Sequence, residues 1–197
     1  MTHYFTDNSD LKSEPIRFDY CFDNEEFIFH SDSGVFSKEK VDYGSVVLIR
    51  NVLQHSLGTD VLDLGCGYGP VGIILKRLHP EVKMTMVDVN PRAVALSKRN
   101  AEDNHIEADI RVCDDILTLD DPFDTVVLNP PIRAGKEVIF SLYEKSFHML
   151  KSGGNLFIVV RKSHGAASHE KYLKTLFQEV SVLDRDKGYY VYQASKK

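Results

Sequence analysis

No apolar run in this chain of 197 residues approaches the ~18 that a membrane-crossing helix needs. The opening stretch MTHYFTDNSDLKSEP is polar and acidic, so a secretory leader is not expected there, and residues 1–14 are expected to be flexible. Cysteine is scarce: Cys21, Cys66 and Cys113 are odd in number and far apart, without the spacing of a disulfide framework or a metal cage. Reduced thiols in the cytoplasm are the simple expectation, and nothing indicates a metal site. There is no internal repeat, no low-complexity tract, no linker and no block of five like charges, which argues against a disordered nucleic-acid tail.

What is present is the composition of a globular chain, 43% hydrophobic and 27% charged, at a length suited to one well-buried domain. The formal net charge of −5 conceals an asymmetry. Residues 133–197 carry 12 Lys and Arg against 6 Asp and Glu, whereas residues 1–132 carry 12 against 23. A split of this kind can turn the C-terminal part toward a polyanion; solvated surface is the plain alternative.

Residues 15–36 suggest short strands around the turn-like DNEE, and residues 41–56 carry apolar side chains at helical spacing. From residue 60 the pattern turns regular. Strands at DVLDLG, KMTMVDVN, ADIRVCDD, FDTVVLN and NLFIVVRK alternate with helices at PVGIILKRLH, PRAVALSKRNAEDN, KEVIFSLYEKSFHML and AASHEKYLKTLF. The third of these helices is expected to end at a KSGG turn, and VSVLDR and YYVYQAS close the chain as a hairpin around DKG. Such alternation predicts an α/β fold: a Rossmann-like, doubly wound, mostly parallel seven-stranded sheet with an antiparallel C-terminal hairpin strand and a small N-terminal β extension. Residues 15–197 are read as one domain, with 15–56 the extension and 57–197 the core. Ligands in such sheets sit at the carboxyl ends of the strands, at the topological switch point.

Two stretches at predicted strand ends carry chemistry. In Asp63-Leu-Gly65-Cys-Gly67-Tyr-Gly69, three alternating glycines exceed the need of a tight turn and point to a ligand held against the main chain. The spacing departs from the dinucleotide fingerprint, with Pro70 in the place of its last glycine, and the G-K-[ST] of a phosphate loop is missing. A carboxylate just ahead of the glycines favours a cationic ligand, and S-adenosylmethionine, with its amino group and sulfonium, fits that description. Asp88 ends the next strand 23 positions after Gly65, where an acid accepts from ribose hydroxyls; Asn90, just before Pro91, supplies the helix cap that Asp88 would otherwise provide. At Cys113-Asp114-Asp115, one acid can accept from an adenine amino group while the other caps the following turn, and spacing does not choose between them.

The second stretch is Leu128-Asn129-Pro130-Pro131-Ile132-Arg133. Asn-Pro is a turn initiator on its own. In the inferred winding order, however, it lies beside the glycine-loop strand, which would put Asn129 where the methyl donor is expected. Its side-chain oxygen and the Pro130 carbonyl make two acceptors for the N–H bonds of a planar amine, directing the lone pair toward the methyl group, and the prolines stiffen the turn. No strong base is required, and orientation supplies most of the rate.

DLGCGYG, VDVN and NPPI in this order resemble a class I S-adenosylmethionine-dependent methyltransferase. With GVFSKEKVDYGS (34–45) and NPPIRAGK (129–136), the chain from about residue 15 onward is similar to the small-subunit ribosomal RNA guanine-N2 methyltransferase family, in its short single-domain form. The resemblance implies Asp63, Gly65 and Gly67 on the methionine part of the cofactor, Asp88 on the ribose, Asp115 at the adenine, and Asn129 with Pro130 as the catalytic pair. Pro131, Ile132 and Arg133 would then meet the substrate, and Phe36 would wall the cofactor or base pocket; a core Phe is the alternative. Ile132 departs from the stacking aromatic that many such enzymes carry after NPP. The resemblance also implies RNA as partner, with Arg133, Lys136, Arg161, Lys162 and His164 on one rim for its phosphates. A protein glutamine, a small molecule, or cofactor binding without catalysis are the alternatives.

Overall fold

The computed structural model describes residues 16–32 and 40–197. A two-stranded antiparallel sheet comes first, β1 (Ile16–Phe22) and β2 (Glu25–Ser31), turned by Asp23 and Asn24. Both turn residues have positive φ, 52° and 63°, the torsions that suit a two-residue hairpin loop. Helix α1 (Tyr43–Val52) follows, with Asp42 as its N-cap, accepting from Ser45 N at 3.1 Å. It is shorter than the apolar spacing over 41–56 suggests: Leu53 N still reaches Ile49 O, but Gln54 and His55 leave through tighter turns to Asn51 O and Val52 O.

The main sheet has seven strands in the order β5-β4-β3-β6-β7-β9-β8: β3 (Asp60–Leu64), β4 (Lys83–Asp88), β5 (Asp109–Val112), β6 (Phe123–Leu128), β7 (Leu150–Arg161), β8 (Glu179–Asp186) and β9 (Tyr189–Ser195). The five strands from β5 to β7 run parallel, while β9 pairs antiparallel with β7 and with β8, so the doubly wound sheet and its closing hairpin are both present. The crossover helices are α2 (Pro70–Leu78), α3 (Pro91–Asp103), α4 (Lys136–Met149) and α5 (Ala166–Leu176).

Alternation along the strands divides the core in two. Val61, Val127, Phe157 and Val159 face α1, α2 and α3, with Val47, Ile49, Ile73, Ile74 and Val94 packed against them. Leu62, Leu64, Val126, Leu128, Leu156 and Ile158 face α4 and α5, meeting Ile139, Tyr143 and Leu173. Each of these side chains is at most 5% exposed, so burial on both faces explains why the central strands read as unbroken apolar runs.

The N-terminal hairpin docks on α3 through two amides one helical turn apart. Asn104 accepts from Ile28 N at 3.0 Å and donates to Ile28 O at 2.7 Å. Asn100 accepts from His30 N at 2.7 Å and donates to His30 O at 2.9 Å. The second N–H of Asn100 donates to Tyr68 O at 2.7 Å, so the same side chain also grips the glycine loop. In effect the two amides stand in for a strand along the open edge of β2.

One local expectation is corrected. KSGG is not a free turn: β7 already begins at Leu150 and passes irregularly through it, with a register shift against β6 between Phe123 and Thr125. Gly153 N donates to Lys196 O at 2.6 Å and Lys196 N to Gly154 O at 2.9 Å, while Lys151 reaches Asp60 at 2.7 Å and Asp124 at 2.9 Å. Long-range partners thus hold as strand a segment whose glycines favour a turn locally. Likewise β5 stops at Val112, because Asp115 caps a short 3-10 turn over Ile116–Thr118.

Candidate active site

The sheet order reverses between β3 and β6, and both chemical stretches emerge there. Leu64 and Leu128 are paired across the two strands, one residue before Gly65 and Asn129 respectively. DLGCGYG and NPP are therefore neighbours at the carboxyl ends, at the switch point.

The glycine loop is held from below and from the side. Gly65 N and Cys66 N both donate to Val87 O, at 2.8 and 3.0 Å. Asp88 accepts from Gly67 N through one carboxylate oxygen and from Asn90 N through the other, each at 2.9 Å. Asn90 in turn caps α3, accepting from Arg92 N at 3.0 Å. Gly65 and Gly67 adopt φ of +72° and +57°, and a Cβ on either would meet no atom within 4 Å. The loop needs glycine for its torsions, and the side a Cβ would occupy is open for a ligand to approach.

Asp63 lies beneath this loop, 3% exposed, accepting from Gly72 N at 2.8 Å. Burial pushes its carboxyl up to about 7; the Gly72 N–H opposes this, and the Asp88 charge adds to it. The Asp88 carboxyl is also raised, chiefly by burial. Two desolvated acids beside an open glycine loop favour a ligand that brings positive charge, and they fit the sulfonium and amino groups of S-adenosylmethionine. Burial likewise raises the Cys66 thiol, which leaves it protonated and unreactive.

Across the switch point, Asn129 is half-buried and Pro130 buried. The Asn129 amide nitrogen donates to Ser45 Oγ at 3.0 Å and lies 3.4 Å from Asp42 Oδ1, both at the N-terminus of α1. Pro131 O accepts from Ala134 N at 2.9 Å, closing a 3-10 turn over Ile132–Ala134. Ile132 is partly buried and leans on the α4/α5 side of the core. Arg133 and Lys136 are exposed on the rim, as are Arg161 and Lys162 at the end of β7. A Cβ on Gly165 would sit 3.3 Å from Lys136 Nζ, so Lys136 reaches across to the turn that precedes α5 and joins the two basic segments.

Not every expected residue is placed equally. Asp115 caps its turn, accepting from Leu117 N at 3.1 Å, and pairs with Lys145 at 3.1 Å, both through Oδ1; the Leu117 N–H is the largest influence and the carboxyl is lowered. Asp114 is exposed beside it. Phe36 lies outside the described residues. Asp42 and Ser45 are the residues that sequence reasoning missed. Asp-x-x-Ser ahead of an apolar run is a helix-start signal and could have marked the cap, but no local pattern ties it to a side chain 87 positions away. A cleft at the opposite end of the strands, lined by Asp60, Lys76, Glu81 and Lys83 among others, gathers no comparable set of groups.

The comparisons with known proteins agree with this fold. Residues 26–193 match the methyltransferase small domain family. The chain is a class I S-adenosylmethionine-dependent methyltransferase of that family. This methyltransferase is 43% identical to the uncharacterized protein YbxB of Bacillus subtilis (strain 168), over 98% of both chains. It is 30% identical to ribosomal RNA small subunit methyltransferase C of Photorhabdus laumondii subsp. laumondii, over 88% of this chain and 51% of the relative. Among solved structures, T. thermophilus 16S rRNA N2 G1207 methyltransferase (RsmC), in complex with AdoMet and guanosine, superposes with a TM-score of 0.84 at 28% identity, over 95% of this chain and 52% of that one. The methyltransferase thus spans about half the length of the ribosomal RNA enzymes it matches.

Proposed function

We propose that this methyltransferase transfers a methyl group to the exocyclic N2 amine of a guanine in small-subunit ribosomal RNA. The observation that carries the proposal is the orientation of Asn129: its amide nitrogen is turned to α1, which leaves its oxygen for the cleft beside the glycine loop. The likeness to ribosomal RNA small subunit methyltransferase C and to the guanosine-bound RsmC supports the choice of substrate.

Asp63, Gly65 and Gly67 hold the aminoacyl part of the cofactor, and Asp88, whose oxygens each keep acceptor capacity, takes the ribose hydroxyls. Asp115 takes the adenine amine through Oδ2, the oxygen that neither Leu117 N nor Lys145 occupies. When bound, S-adenosylmethionine supplies an electrophilic methyl group on sulfur. Asn129 Oδ1 and the Pro130 carbonyl accept from the two N–H bonds of the amine and aim its lone pair along the line of attack. Pro131 O is engaged by Ala134, so the main-chain acceptor falls to Pro130. Transfer would form the N–C bond as the C–S bond breaks, and the methylated nitrogen would shed its extra proton to water, since Asn129 and the Pro130 carbonyl orient the amine without acting as bases. Pro131 and Ile132 line the base by apolar contact, and Arg133, with the rim around Lys136, Arg161 and Lys162, holds the flanking phosphates. The target base must be unpaired or flipped to reach Asn129. The cytoplasm is where such a substrate is met.

Transfer of labelled methyl to ribosomal RNA, to ribosomal subunits from a strain lacking the protein, and to free protein, with nucleoside mass spectrometry, tests this. N2-methylguanosine in RNA is expected. Label confined to protein would overturn the substrate, and no label anywhere the activity.

A further inference from the structure

Resting on that reading, we infer that Asp42 and Ser45 are positioning residues for the catalytic amide: the N-terminus of α1 sets which end of Asn129 faces the substrate. Three contacts tie the site together. Asn129 Nδ2 donates to Ser45 Oγ at 3.0 Å and approaches Asp42 Oδ1 at 3.4 Å, and the same Asp42 Oδ1 accepts from Ser45 N at 3.1 Å. Ser45 is 3% exposed, so water cannot readily replace it.

An amide can be rotated half a turn with little change of shape, and this matters here because only its oxygen can accept from an amine. An ionised carboxylate accepts and never donates. With Asn129 turned over, its carbonyl oxygen would face the Asp42 carboxylate, the bond to Ser45 would have to be remade with the hydroxyl as donor, and two N–H groups would be presented to a substrate that also brings N–H groups. Asp42 is thus the asymmetric element that makes one orientation right. The cap role and the positioning role fall on one oxygen atom, so the helix start and the acceptor are built as a unit.

The test exploits an exchange of partners. Asp42→Asn retains a good helix cap but can donate as well as accept, so it no longer distinguishes the two orientations of Asn129. It is expected to lower kcat about 5-fold, and Ser45→Ala by a similar factor, the scale of one hydrogen bond, with KM for S-adenosylmethionine and the unfolding temperature nearly unchanged. Asn129→Asp alone places two carboxylates face to face and is expected to be the most impaired. Combined with Asp42→Asn, the amide and the carboxylate have traded places, and activity is expected to recover above that of Asn129→Asp alone. A merely structural role for Asp42 gives no such recovery.

A second readout needs no substrate. The side-chain NH2 resonances of Asn129, identified by their loss in Asn129→Ala, are expected to exchange slowly with water in the unsubstituted protein and faster in Asp42→Asn and Ser45→Ala. Unchanged resonances and exchange in both variants overturn the inference, as does wild-type kcat in both while Asn129→Ala is inactive; the proposed function survives either result. A wild-type rate in Asn129→Ala overturns the inference together with the catalytic role given to Asn129, while the methylated nucleoside still decides the substrate. If no substrate is methylated, the proposed function fails and the resonances decide the positioning alone.

Discussion

The two sides of the switch point solve different problems by different means. On the donor side, β3 to β5, carboxylates are buried or half-buried and satisfied by main-chain N–H groups: Gly72 on Asp63, Gly67 and Asn90 on Asp88. On the acceptor side, β6 to β9, the decisive contacts run between side chains distant in sequence, Asn129 with Asp42 and Ser45, and the rim is basic. The donor side awaits a small cation of fixed shape, which backbone geometry can fit closely. On the proposed function, the acceptor side would meet a large anion at its rim and a neutral amine at its centre, with charge kept to the periphery and the centre left to neutral acceptors. The charge asymmetry along the chain follows the same division, with the excess of Lys and Arg lying beyond residue 132.

That contrast can be broken at either side. The largest effect is expected on the acceptor side: Asn129→Ala lowers kcat by about 100-fold or more, the scale of losing a preorganised polar group at the reacting centre. Calorimetry is expected to show its affinity for S-adenosylmethionine nearly intact. Asp88→Ala reverses the pattern, weakening cofactor binding about 10- to 100-fold through lost charge-assisted hydrogen bonds. Should both variants fail in both measurements alike, the division of labour is wrong.

Asp63 sharpens the donor side through pH. Its folded value of about 7 lies above that of an unfolded carboxyl, so between ~4 and that value the folded chain holds a proton that the unfolded chain releases. Stability of the cofactor-free protein from this group is therefore greatest at low pH and falls as pH rises through the window; Asp63→Asn flattens that slope in thermal unfolding. A cationic ligand favours the ionised form, so affinity for S-adenosylmethionine is expected to fall by up to about 10-fold per pH unit below that value. The smallest effect is expected on the rim, where Arg133→Ala or Lys162→Ala weakens RNA binding about 2- to 5-fold and reduces its salt dependence by roughly one ion each, leaving cofactor binding alone.

The same contrast explains what the sequence made legible. Asp63, Gly65, Gly67 and Asp88 announce themselves because each is set by local torsion or by the end of a strand whose apolar run is plain. The sheet was readable for the same reason. Asn129 and Pro130 were visible through their position after FDTVVL, yet the residues that hold Asn129 were not, since the contact closes over more than 80 positions. The KSGG segment misled because its turn propensity is local and its pairing with Lys196 is not. Asp115 shows a third limit: spacing could not tell it from Asp114, and only the folded chain shows that Asp115 is the one that caps the turn, through Oδ1.

The paired asparagines on α3 have a consequence for how the chain can change. The side-chain amides of Asn100 and Asn104 hydrogen-bond main-chain atoms, those of Ile28, His30 and Tyr68, with Asn104 also donating to Asn100 O. Their contacts specify a backbone path and say nothing about the side chains along it. The hairpin's inner side chains remain bound to the core through Phe27 and Phe29 and to α3 through the His30–Asp103 pair, but its outward residues can change without altering the amide contacts, and Asn100 will go on tying the glycine loop to α3 while they do.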